Sequence, residues 1–111
     1  MVIPKTFESG DDFETMLLTS ILGTFIALRE DLISFKQAES YWLSDLTASL
    51  FEEIHLSEES IALVQKGVEL KELTVGSDEY LAALDQLIAD SKALIGRYYT
   101  EYDEGLGGLL N

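Results

Sequence analysis

Cysteine is absent from this 111-residue chain, histidine and tryptophan occur once each, and the only proline is Pro4. Without cysteine there is no disulfide framework and no thiolate to serve as nucleophile or metal ligand. The composition suits a reducing cytoplasm, which is the expected location. His55 follows Glu52 and Glu53 but has no second histidine one helical turn away, so the paired-imidazole zinc pattern is missing. Gly-x-Ser-x-Gly does not occur, no glycine run resembles a phosphate loop, and Asp103-Glu104-Gly105 lacks the ligand spacing of a calcium loop. General acid–base work needs a carboxyl held in an apolar pocket, whereas the neighbouring pairs Glu52-Glu53 and Glu58-Glu59 have the pattern of solvated faces. The expectation is a protein that is not an enzyme and needs no cofactor or metal.

Positive charge is also scarce. Seven Lys and Arg face 21 Asp and Glu, for a net charge of −14. Residues 1–31, 32–77 and 78–111 carry −4, −5 and −5, so the surplus coats the whole chain instead of forming a tail. Such a field repels nucleic-acid phosphates and anionic headgroups and draws in cationic surfaces. No nucleic acid and no membrane are expected as partners. The plainer interpretation of the acidity is solubility alone.

Long apolar runs are lacking as well. Thr15 to Leu28 is the longest uncharged stretch; it is shorter than a bilayer span, holds Thr19, Ser20, Gly23 and Thr24, and follows acids instead of a basic region. It has the pattern of a core helix.

What the chain does contain is 47% apolar residues, enough for one hydrophobic core in a domain of this size. Phe13, Leu17, Ile21, Phe25 and Leu28 recur at helical spacing, predicting a central first helix that ends near Glu30, with Ser9 or Asp11 as its cap. Ser34 followed by Gln37 is a capping-box pattern and opens a short helix placing Phe35, Ala38 and Trp42 on one face, with Leu32 and Ile33 packed against it. Ser44 caps a second short helix that aligns Leu46, Leu50 and Ile54. Ser57 caps a third, burying Ile61, Val64 and Val68 as far as about Leu73. Gly76 breaks the chain, Ser77 caps the last helix, and Tyr80, Leu84, Leu87, Leu94, Tyr98 and Tyr102 form its stripe. Gly105, Gly107 and Gly108 predict the end of that helix and a flexible tail over residues 104–111. No run alternates with period two. The expectation is an all-α, single compact domain over residues 1–111, with its core at 10–103. It is an irregular bundle of about five helices, with an orthogonal arrangement favoured over a regular up-and-down one.

Charge at finer grain singles out one region. Between Lys36 and Lys66 there is no Lys or Arg, while Glu39, Asp45, Glu52, Glu53, Glu58 and Glu59 surround Tyr41 and Trp42. Aromatic anchors ringed by acids are what a cationic protein surface docks onto. The alternative is that Trp42 is core and the acids only face solvent. Tyr99 is a further candidate, because it points away from the stripe that carries Tyr98 and Tyr102. The expected binding residues are Tyr41, Trp42, Glu52, Glu53, Glu58, Glu59 and Tyr99.

Between about Met16 and Ile95 the chain resembles a family of small acidic bacterial proteins of uncharacterised function. The resemblance is carried by Leu17-Leu18-Thr19, Ala27, Leu32-Ile33-Ser34, Ala38-Glu39, Ser57-Glu58-Glu59 and Gly67-Val68-Glu69-Leu70-Lys71-Glu72-Leu73. These are mostly capping and core positions, so the resemblance implies an all-helical fold and no catalytic residues. By analogy, small acidic proteins without catalytic motifs are also similar to immunity proteins. The expected function is therefore an immunity- or antitoxin-type module that neutralises a basic toxin, such as a nuclease, by occluding its cationic site. The alternative is a structural or regulatory interaction module, homodimeric through an apolar helix face, with no toxin partner.

Overall fold

Four serines start four of the helices. The side chains of Ser34, Ser44, Ser57 and Ser77 accept from the backbone N–H three residues on, at 3.1, 3.2, 3.2 and 3.1 Å. Each satisfies a donor that the first helical turn leaves without an intrahelical partner. At Ser34 the Gln37 side chain returns the bond to the Ser34 N–H at 2.9 Å, completing the capping box.

A computed structural model describes the backbone of residues 10–110 and the side chains from Phe13 to Tyr98. Its helices are α1 (Gly10–Arg29), α2 (Phe35–Tyr41), α3 (Asp45–Glu53), α4 (Glu58–Glu69) and α5 (Asp78–Leu110), with one 3-10 turn (Leu70–Glu72) after α4. There is no strand among the described residues. The fold is a single all-α domain, as the periodicity predicts. The proposed caps Ser9 and Asp11 lie outside the described side chains.

Two of the stops are Schellman motifs built without glycine. Asp31 has φ 58°, its N–H donates to Leu28 and the next N–H, of Leu32, donates to Ala27. His55 has φ 60°, its N–H donates to Glu52 and that of Leu56 to Phe51. The only histidine thus occupies a helix-terminating, left-handed position. Gly76 takes φ 84° in the turn before α5, where a side chain would be strained.

The core is one cluster centred on α1, which packs chiefly on α5 and also touches α2 and α4. Leu18, Ile21 and Phe25 of α1, Leu43, Val64 of α4 and Leu84 of α5 are fully buried. Gly67 lets α4 approach closely: a Cβ there would lie 2.8 Å from Leu43 Cδ2 and 3.1 Å from Phe25 Cε1. Ser91 of α5 is also fully buried, and its hydroxyl has no hydrogen-bond partner.

The structure departs from the sequence pattern in four places. On α1 Leu17, Ile21, Phe25 and Leu28 are buried as expected, but at the start of the helix Glu14, in line with Leu18, takes the buried position and Phe13 is exposed. Leu32 is exposed too, because it follows the left-handed Asp31 and only Ile33 turns inward. On α3 the expected stripe is reversed: Ala48 and Phe51 are buried while Leu46, Leu50 and Ile54 face out. Phe51 is the largest apolar side chain of α3 and packs against Trp42, with ring centroids 6.4 Å apart, so its burial rotates the leucines to the surface. Finally, α5 continues to Leu110 through Gly105, Gly107 and Gly108. Each glycine costs helix about 1 kcal/mol but keeps its N–H, and adding a residue to an existing helix avoids the cost of a new nucleus.

Candidate protein-binding face

α3 contains no basic residue, and its start Asp45 and end Glu53 are both acidic. Spacing of three or four residues places Leu46, Leu50 and Glu53 on one side of it. Leu46 is 69% exposed, Leu50 47% and Ile54 48%, and Tyr41 at the end of α2 is 56% exposed. Glu39 of α2, Asp45, Glu52 and Glu53 of α3, and Glu58 and Glu59 at the start of α4 are all exposed. The acids predicted from sequence are therefore at the surface, and three of them, Asp45, Glu52 and Glu53, share α3 with leucines that sequence had placed inside.

The predicted residues do not all share one environment. Trp42 is half-buried and packs on the core, with its ring against Phe51. Glu59 is neutralised by a residue distant in sequence: Arg97 Nη2 lies 2.6 Å from its Oε2, and this bond holds the Glu59 carboxyl below the usual carboxylate range. The second ion pair among the described residues joins Arg29 to Asp85 at 2.8 Å. Neither involves Glu39, Asp45, Glu52, Glu53 or Glu58. The side chain of Tyr99 lies outside the described residues.

Sequence reasoning missed a buried polar cluster. Glu14 is almost fully buried, and its carboxylate accepts from the Ser57 N–H at 3.2 Å, from the Ser57 and Ser60 hydroxyls, and from the Tyr98 hydroxyl at 3.2 Å. The signal was present, since Glu14 stands four residues before Leu18 on the apolar stripe. Burial raises the Tyr98 hydroxyl above its ordinary pKa, and the Arg97 guanidinium lies 5.8 Å from its ring centre. A carboxylate is here placed against the N-terminus of α4, where the unpaired N–H groups and the helix dipole favour negative charge. Both serine hydroxyls and the Ser57 N–H donate to it. The cluster therefore acts as a clasp joining α1, α4 and α5.

No group of three or more His, Asp or Glu among the described residues is arranged to hold a metal ion, and no described helix is long and apolar enough to cross a membrane. No curated protein and no solved structure matches the chain. A family model described as "Protein of unknown function (DUF3969)" matches residues 8–102, from before α1 to within α5. The match covers every capped helix start and the whole buried core, and the chain belongs to this family of proteins of unknown function.

Proposed function

We propose that the chain is an acidic protein-binding module of the immunity or antitoxin type, acting in the cytoplasm by covering the cationic site of a basic toxin. The observation that carries this is the exposed row Leu46, Leu50 and Ile54 with Tyr41, set among acids that no described ion pair neutralises. An apolar centre inside a charged rim is the anatomy of a protein interface. The net charge of −14 speeds encounter with a basic surface, and the local acids select and orient it.

A homodimer through the same row is the second reading, since apolar residues exposed on one face also suit self-association. Like charge on both copies opposes it. The partner to test is the product of any adjacent reading frame that encodes a large secreted protein with a basic, nuclease-like end, and finding such a frame would itself favour this reading. Glu52→Lys with Glu53→Lys should slow association with that protein and flatten its salt dependence, and Leu46→Ser with Leu50→Ser should speed dissociation. Asp78→Lys with Glu79→Lys changes net charge equally on α5. Equal weakening by both charge pairs would leave only the global charge and remove the α2–α3 face from the interface.

A further inference from the structure

α1 lacks charge on its outer side as well as its inner one. From Thr15 to Leu28 it holds no charged residue, and Glu14 just before that stretch is buried. The inner half of the helix packs on α5, α2 and α4. The outer half presents Phe13, 37% exposed, and Met16, 43% exposed, together with exposed Thr19, Ser20 and Gly23 and half-buried Ile26 and Ala27. On each of the other helices the exposed side carries charge, as at Glu39 of α2, Glu53 of α3, Glu58 of α4 and Asp85 of α5. A surface helix has a polar, charged outer face, and a helix that is uncharged all round is one covered all round.

The polar atoms on this outer half are turned back into the helix. Thr19 Oγ1 donates to the Thr15 carbonyl at 2.8 Å and Ser20 Oγ to the Met16 carbonyl at 3.3 Å, so neither hydroxyl proton needs water or a partner. Gly23 stands in the middle of the face, where a Cβ would meet nothing within 4 Å among the described residues. Glycine weakens a helix interior, and no close approach inside one copy of the chain accounts for it. Thr19, Gly23 and Ala27 follow one another at four-residue spacing, the spacing of a surface ridge that packs into the matching groove of a second helix.

We infer that the outer half of α1 is a homodimer interface, in which α1 of one copy crosses α1 of a second with Gly23 near the two-fold axis. Charge selects this occupant. Two chains of net charge −14 repel wherever their acids meet, and the outer half of α1 is the helix face on which they meet without any. A basic partner is drawn to the acids of the other helices and gains nothing from this face. Acids do stand at both ends of α1, at Asp11 and Asp12 and at Glu30 and Asp31, and a crossing angle of about 50°, the class formed by ridges of four-residue spacing, keeps the centres together while the ends splay apart. An isologous contact of this kind is self-complementary and closed. It uses no residue of α2 or α3, so it stands apart from the toxin-binding face.

Sedimentation of the full chain over a concentration series is the test. A monomer–dimer equilibrium is expected, and it should tighten between about 0.1 and 1 M salt, because screening removes the repulsion between two acidic copies. Association through the α2–α3 face with a cationic protein has the opposite salt dependence. Gly23→Lys and Thr19→Lys should each weaken the dimer at least about tenfold, since they put charge and bulk at the centre of the contact. Ala89→Lys makes the same charge change at an exposed position of α5 and should leave the dimer within about twofold. Amide NMR shifts on dilution should centre on Thr19, Gly23 and Ala27, and circular dichroism of dilute samples should show every variant as helical as the parent. A chain that stays monomeric up to about 1 mM, a dimer that salt weakens, equal weakening by Ala89→Lys, or a dimer dissociated by Leu46→Ser with Leu50→Ser and not by Gly23→Lys would each overturn the assignment.

Discussion

The Tyr98 hydroxyl donates to the Glu14 carboxylate at 3.2 Å across 84 residues of chain, joining the two longest helices at a point that Ser57 and Ser60 of the intervening segment also reach. Local sequence does not dictate such a bond. It requires α1, α4 and α5 to be already packed, and it then fixes how they stay packed.

Removing the shared acceptor should therefore cost more than removing any one donor. Glu14→Ala leaves the buried Ser60 hydroxyl and the part-buried Ser57 and Tyr98 donors without their acceptor, at roughly 1–3 kcal/mol for a buried group, so a loss of at least about 2 kcal/mol is expected in urea unfolding. Ser91→Ala should do the opposite, because its buried hydroxyl has no partner to lose and alanine favours helix, giving a gain of about 0.5–1 kcal/mol. A stabilised Glu14→Ala would show that the clasp contributes nothing.

Alkaline pH probes the same region. Burial raises both Tyr98 and Tyr80 above the ordinary tyrosine pKa, with the Asp31 charge adding to the effect on Tyr80. The folded state then holds these protons more tightly than the unfolded chain. Their contribution is fully present below the unfolded tyrosine pKa of about 10 and is lost as pH rises through the folded values. Urea midpoints should stay level up to about pH 9 and fall above about pH 10, and Tyr98→Phe should reduce the fall.

Two glycines inside helices should respond in opposite ways to alanine. At Gly23 of α1 a Cβ meets nothing within 4 Å, so Gly23→Ala should stabilise by about 0.5–1 kcal/mol through helix propensity. At Gly67 the same change drives a methyl against Leu43 and Phe25 and should cost about 1–3 kcal/mol, more than propensity returns. Thermal melts of the two variants check the sign directly.

The orientation of α3 has its own test. Leu84→Ala should cost about 2–5 kcal/mol, since Leu84 is fully buried. Leu46→Ala should change stability by no more than about 0.5 kcal/mol, although sequence periodicity places each of the two residues on the core stripe of its own helix. A large loss at Leu46 would mean that the leucine row faces the core, and the proposed interface would lose its apolar centre.

Much of this architecture was legible before folding was considered. Ser34, Ser44, Ser57 and Ser77 announce their helices because a cap is satisfied within three residues, and Gly76 stops the chain because its backbone conformation excludes side chains. The core stripes of α4 and α5 followed from periodicity over several turns, which the burial of Val64, Val68, Leu84 and Leu87 matches. In α3, nine residues offer two apolar rows of similar length, and periodicity cannot rank them.

Sequence by itself determined the fold class, the helix starts and the acidity between Lys36 and Lys66, since these depend on interactions within one turn or on composition. Tertiary packing decided the rest. Packing of Phe51 against Trp42 turned Leu46, Leu50 and Ile54 outward, Arg97 reached across to neutralise Glu59, and Glu14 became the buried acceptor for donors of α4 and α5. Each of these joins residues far apart in the chain or chooses between faces of one helix, and only the space available in the assembled core makes that choice.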